Sequence, residues 1–416
     1  MRAKKLLIAV VLVLLMLPYQ PFQANAAENE GNNYPIVFVH GLGGWGEDEF
    51  AGYPYWGGTK DVIGHLNDLG YEAYQATVSP VSSNYDRSVE LYHYIKGGTV
   101  DYGAAHAKEH GHARYGRTFP GIYPEWDENH PIHLVGHSMG GLTSRGVIDL
   151  LEDGSEEERA YQQAHPEETI SSLFEGGKSW VHSATSIGTP HNGSTFADNE
   201  NLIIDFIKDF VLNISTVTGI SKENFLYDFK LDQWGIRRQA GETFTSYLNR
   251  VMNSRVWDSE DISVYDLSTP GAAVLNEEVD TKSDVYYFSY TGQASKASLL
   301  TGHHRPIVSS HPIVLAPSTY IGKFTRDNPA EGPIIDDSWW PNDGFVSTIS
   351  SLYPDGQPNT AYDDSPEKGV WNYHPIKNTW DHLDFIGIFS LSTHTKPFNV
   401  YPLYEEIAEN VSSLQP

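Results

Sequence analysis

The chain has 416 residues, with 54 Asp and Glu against 27 Lys and Arg, a formal charge of −27. That balance argues against nucleic-acid binding, which needs basic patches, and against tight docking on anionic lipid. No cysteine is present, so no disulfide braces the fold; stability must come from metal ions or from a core that 25 Tyr, 17 Phe and 10 Trp can fill.

In chain order, the first element is a targeting segment. Arg2, Lys4 and Lys5 precede an uncharged apolar run from Leu6 to Leu17, and Ala24-Asn25-Ala26 follows. This order predicts a secretory signal over 1–26, its apolar run too short to span a bilayer comfortably; an uncleaved anchor is the competing reading. No later stretch is long and apolar enough for a membrane helix. No Pro/Ser-rich linker or repeat divides the rest, so 27–416 is expected to form a single domain.

Residues 35–44, PIVFVHGLGG, read as an apolar strand ending in a glycine loop. Residues 131–146, PIHLVGHSMGGLTSRG, place Gly136-His137-Ser138-Met139-Gly140 between a buried strand from Ile132 and a helix from Gly141 to Leu151. A serine hydroxyl must stand clear of a sheet to act as a nucleophile. A sharp strand-to-helix turn provides this, and flanking glycines make the room. Strand, G-x-S-x-G and helix together form the nucleophile elbow of the α/β-hydrolase fold. That fold predicts an oxyanion hole from the backbone N–H groups of Leu42 and Met139.

The same fold orders its triad Ser, then acid, then His. Asp343, on the Asn-Asp-Gly turn of WWPNDGFVST, is the acid that position favours. His374, His382 and His394 are the histidines beyond it. His382, between a polar loop and an apolar run, suits the base best, whereas His374 and His394 sit in more polar stretches and read as surface residues. Spacing alone leaves Asp343 and His382 open.

His106, His110 and His112 cluster within GAAHAKEHGHAR at 103–114. Such a group is either a solvated face or part of a metal site. His106 and His110 would share a helical face, with Gly111 stopping the helix.

Residues 199–214, NENLIIDFIKDFVLNI, carry Ile203, Phe206, Ile207, Phe210, Val211 and Ile214 at helical spacing, a wide apolar stripe. A permanently buried core helix and a movable cover both fit it.

Long stretches resemble the secreted lipases of Gram-positive bacteria, the staphylococcal and thermophilic Bacillus/Geobacillus group. They include YWGG at 55–58, GGTVDYGAAHA at 97–107, HGHARYGRT at 110–118, SLFEGG at 172–177, YDFKLDQWG at 227–235, YDLSTPGA at 265–272, NDG at 342–344, KGVWN at 368–372 and DHLDFIG at 381–387. The resemblance implies a mostly parallel sheet flanked by helices, with large insertions forming a zinc-binding subregion and a helical lid at about 197–225. It implies a Ser138–Asp343–His382 triad acting on triacylglycerol or other lipid esters at an oil–water interface. It also implies structural zinc on Asp61, His106, His112 and Asp261. The calcium site of that group uses an acid two positions after the base, here Asp384, and another aspartate seven positions after it. Phe389 occupies the second position, so calcium binding is expected to be weakened or lost. Three other functions fit the same residues: an esterase, phospholipase or polyester hydrolase with this triad, a zinc metallohydrolase centred on the four ligands, and an inactive surface binder.

Overall fold

The computed structural model describes residues 31–217, 226–388 and 399–416. The expected signal at 1–26, the end of the expected lid, His394 and Phe389 lie outside them. Among the described residues, no helix is long and apolar enough to cross a membrane.

Seven parallel strands form the central sheet: β1 Ile36–Val39, β2 Ala73–Ala76, β3 Ile132–His137, β4 Val181–Ile187, β5 Tyr286–Tyr290, β6 Asn359–Ala361 and β7 Trp371–Tyr373, in the spatial order β6-β7-β5-β4-β3-β1-β2. Every residue of β1, β3 and β4 is buried, as expected of parallel strands covered on both faces. Ile36 and Phe38 enter one core with Trp45, Trp56 and Val135, whereas Val37 and Val39 enter the other with Ile132, Leu134 and Val147. Helices flank the sheet and its loops, among them α1 Val62–Asp68, α2 Asn84–Lys96, α3 Ala104–His110, α4 Met139–Glu152, α5 Glu200–Val217 and α6 Leu315–Ile321.

The chain leaves β1 for β2 on one side and returns to β3 on the other. β1 and β3 therefore flank the switch point, where an open parallel sheet leaves a crevice at its carboxyl edge. Val39 pairs with Gly136 there. His40-Gly41-Leu42 and Ser138 thus emerge side by side.

Ser138 has φ 56° and ψ −129°, a sparsely populated conformation that costs on the order of 1–3 kcal/mol. Its neighbours hold it in place. A Cβ on Gly140 would stand 2.0 Å from the Val39 carbonyl oxygen, and one on Gly136 would stand 2.4 Å from the Gly140 backbone. Backbone cannot rotate out of the way. Gly140→Ala should therefore destabilise the chain by about 3 kcal/mol or more, at the upper end for overpacking. A denaturant midpoint that barely moves would contradict this close packing.

Candidate active site and metal cluster

Ser138 stands on the strand-to-helix turn as expected, with its N–H donated to the Ile187 carbonyl at 2.8 Å. Gly41 lies directly beside it, since a Cβ there would be 2.6 Å from Ser138 Cβ. The amide of Met139, first residue of α4, has no acceptor within its own helix.

Asp343 sits on its turn, with Oδ1 accepting the N–H groups of Phe345 at 3.0 Å and Val346 at 2.8 Å. Its Oδ2 accepts from His382 Nδ1 at 2.7 Å. A carboxylate can only accept, so Nδ1 of His382 is the donor in this bond, and Nε2 is the ring nitrogen left to face another partner. The His382 N–H also donates to the Asp343 carbonyl at 2.9 Å. Ser138 and His382 line one cavity with Leu42, Phe196, Ile203, Phe206, Phe210 and Phe345. The α5 stripe covers it: Ile203, Ile207, Phe210 and Val211 are all buried.

Two buried supports were not expected from sequence. The Gly41 N–H donates to Tyr55 Oη at 3.0 Å, and Tyr55 Oη lies 2.7 Å from His137 Nδ1. His137 Nε2 lies 3.0 Å from the His382 carbonyl. An amide only donates and a carbonyl only accepts, so every proton in this chain has one direction: Gly41 to Tyr55, Tyr55 to Nδ1, and Nε2–H to His382. Burial, and then the nearby His382, pushes the His137 pKa well below its ordinary value, so the ring is neutral as this pattern requires. The second support is Arg87 on α2. It donates to the carbonyls of Ser79 and His40, the latter at 2.6 Å, and to Thr143 Oγ1 at 2.9 Å. Burial lowers its pKa only to about 10, so it remains charged.

His374 is not a surface residue. It is buried, stacked at 4.0 Å on Tyr290 and 4.2 Å on Tyr362, and burial lowers its pKa to about 4. The polar residues around it in sequence gave no sign of aromatic partners brought in from other segments.

The histidine cluster forms as expected, with one correction. α3 ends at His110, and Gly111 caps it with φ 75°. Asp86, His106, His112 and Asp261 present ligand atoms that all lie within 4.8 Å of one another. Asp61 is not among them. It caps the start of α1, its carboxylate accepting the Gly64 N–H at 2.8 Å. Asp86, buried on the first turn of α2, supplies the fourth ligand atom. Following Ser83, it reads in sequence as part of a helix cap. Indeed Ser83 Oγ accepts the Asp86 N–H. Only an inward-facing acid on an otherwise buried helix face could have hinted at more.

Asp86 Oδ1, His106 Nε2, His112 Nε2 and Asp261 Oδ2 are buried and meet only one another, His106 Nε2 lying 3.3 Å from Asp86 Oδ1 and His112 Nε2 3.2 Å from Asp261 Oδ2. Four such atoms facing one point, with no partner outside the group, are costly unless a cation joins them. Their outer atoms are engaged: Gln233 donates to Asp86 Oδ2 at 2.7 Å, and His112 Nδ1 meets the Ala113 carbonyl at 2.9 Å. The donor set fits a metal ion. None of the four lines the cavity holding Ser138. In the expected calcium region, Asp384 Oδ2 accepts the Asp381 N–H at 2.9 Å.

A parallel sheet with Ser138 at its switch point and an Asp343–His382 pair beside it defines the α/β-hydrolase fold. The chain belongs to the family described as the lipase-like C-terminal domain, whose model matches residues 32–415. A lipase of Staphylococcus hyicus is 40% identical over 397 residues, covering 93% of this chain and 59% of that protein; this chain thus spans little more than half the length of the curated relative. Among solved structures, EstA from Clostridium botulinum has a TM-score of 0.86 at 46% identity, over 93% of this chain and 88% of that one. Lipase 1 from Pelosinus fermentans has a TM-score of 0.82 at 46% identity, over 92% and 100% respectively.

Chelation followed by thermal melting separates the two aspartates. Asp61→Asn keeps a good cap and should melt, and respond to chelator, like the unaltered protein. Asp86→Asn should melt lower and lose its response to chelator. The reverse pattern would return the ligand role to Asp61.

Proposed function

We propose that the chain is a secreted triacylglycerol lipase, with Ser138 as nucleophile, His382 as base and Asp343 as the acid that orients it. The observation that carries this is His382, held by Asp343, sharing an apolar, helix-covered cavity with a serine on a strained elbow. His382 Nε2 takes the Ser138 proton as Oγ attacks the ester carbonyl. The oxyanion rests on the amides of Leu42 and Met139, each worth about 3 kcal/mol. His382 then protonates the departing glycerol oxygen, and water cleaves the acyl-enzyme by the same steps. The positive end of α4 adds to the stabilisation.

Zinc is the ion that suits Asp86, His106, His112 and Asp261. Four protein ligands leave no open position, which makes the site structural. Secretion rests on the 1–26 segment, whose basic start, apolar run and Ala24-Asn25-Ala26 fit a signal sequence.

Purified Ser138→Ala should lose essentially all hydrolysis of long-chain triacylglycerol emulsion while its melting curve stays nearly unchanged. Survival of more than a few per cent of activity would favour a metal-centred reaction instead. A profile confined to short soluble esters would make the chain an esterase.

α5 is the lid of this reading. Phe210 packs on the oxyanion loop, its ring 2.9 Å from where a Cβ on Gly43 would be. Opening exposes bulky side chains at about 1.5–3 kcal/mol for each one fully rehydrated. An oil surface removes that cost and raises the open population. Activity should therefore climb once a sparingly soluble ester passes its solubility limit. Phe206→Ser with Phe210→Ser should flatten that climb and spare a short soluble ester. A folded double variant that keeps the full climb would make α5 core.

A further inference from the structure

From Val285 to Arg326 the chain contains no Asp or Glu, although 54 of its 416 residues are acidic. The basic residues there are Lys296, Arg305, Lys323 and Arg326. Arg326 is buried against Asp198 at 2.9 Å. Lys296 and Arg305 are exposed, and the salt bridges among the described residues include neither. They face each other across an antiparallel hairpin formed by Ser295–Ala297 and His304–Pro306. Like charges directly opposite in a hairpin are destabilising, and among the described residues no salt bridge offsets this pair.

The hairpin tip is closed by the Ser298 N–H on the His303 carbonyl at 2.9 Å and the Gly302 N–H on the Ser298 carbonyl at 2.8 Å. It holds Leu299 and Leu300 at 105% and 96% exposure, with Val308 just beyond at 98%. These side chains contribute nothing to the core. The base of the hairpin is tied to the active site. The Asn342 N–H donates to Ser295 Oγ at 2.9 Å, and the Ala294 N–H donates to the Asn342 carbonyl at 2.9 Å, one residue before Asp343. On the following helix, Tyr320 packs against Phe196, which lines the cavity of Ser138.

We propose that this hairpin is a fixed docking element for an anionic lipid surface, separate from the lid. Leu299, Leu300 and Val308 enter the apolar layer, while Lys296 and Arg305 meet the negative headgroups, which also relieves their mutual repulsion. The rest of the chain, at −27 overall, is repelled by such a surface. The stretch without acids leads the approach, the exposed Asp336 and Asp337 lying just before Trp340, which packs on His303, and the Asn342–Asp343 turn comes with it. A second copy of the chain is a poor occupant, because two such hairpins would bring four cations together. The inference rests on the lipase reading for its purpose, since ester cleavage leaves fatty acids that charge an oil surface negatively.

The test is co-flotation of the full chain, carrying Ser138→Ala so that no lipid is cleaved, with phosphatidylcholine vesicles with or without phosphatidylglycerol. Binding is expected on the mixed vesicles. Leu299→Ser with Leu300→Ser should lower it tenfold or more, on the order of the transfer preference of one leucine. Lys296→Gln with Arg305→Gln should lower it about tenfold on mixed vesicles and leave binding to neutral ones unchanged. With Ser138 restored, both pairs should keep their melting temperature and their rate on a short soluble ester. Unchanged vesicle binding in both pairs would overturn the proposal. So would a lipid-free dimer that the leucine substitutions dissolve, which would give the tip to a second copy. A chain that binds vesicles through the hairpin but cleaves no ester would overturn the lipase reading alone.

Discussion

The close approach of backbone around Ser138 is the constraint on which the rest of the site depends. Ser138 holds a conformation that an L-residue avoids, and it is kept there because Gly136, Gly140 and Gly41 let three segments meet at distances no side chain could share. Gly141 does the same one residue on, where a Cβ would lie 2.1 Å from Thr189 Oγ1. The sheet supplies the foundation. β1 and β3 are fully buried neighbours, so the loop after one and the turn after the other cannot drift apart. The Tyr55–His137 hydrogen-bond chain then ties both to the backbone of His382. The Ser138 turn, the loop at Gly41 and the backbone of His382 are thus held by one continuous, fully buried network rather than independently.

A second tie runs through α2. Asp86 faces the metal cluster, and Arg87, the next residue, clasps the His40 carbonyl at the start of the oxyanion loop. The close packing of α2 on α4, where a Cβ on Gly146 would stand 2.4 Å from Ser88 Oγ, joins the same helix to the one that follows Ser138. In a chain without cysteine, a metal ion at this point would brace the first turn of α2 and, through Arg87, the loop beside the nucleophile. The metal cluster is outside the cavity yet mechanically adjacent to it.

Much of this was legible in the sequence because it is local. Strand, glycine-flanked serine and helix follow one another directly, and the loop after β1 is a contiguous motif. The α5 stripe was legible for the same reason, since a period of 3.6 survives without knowledge of the partner. What escaped was long-range. Asp86 looks like a cap residue because it also is one, and nothing in its neighbourhood announces that Asp261 lies opposite. Asp61, matched by resemblance, proved to be only a cap. His374 looked solvent-facing because its aromatic partners come from other segments. The Tyr55–His137–His382 chain spans more than three hundred residues and has no spacing to read.

In the lipase reaction proposed above, Ser138 forms a covalent bond with the acyl group, which the His382–Asp343 pair prepares it to do. Reaction of the purified protein with a long-chain alkylphosphonate ester, followed by peptide mapping by mass spectrometry, tests it most directly. A single stoichiometric adduct on Ser138 is expected, formed far more slowly when His382 is replaced by Ala. A protein that turns over lipid esters while Ser138 stays unmodified, or one whose adduct lies on another residue, would contradict it.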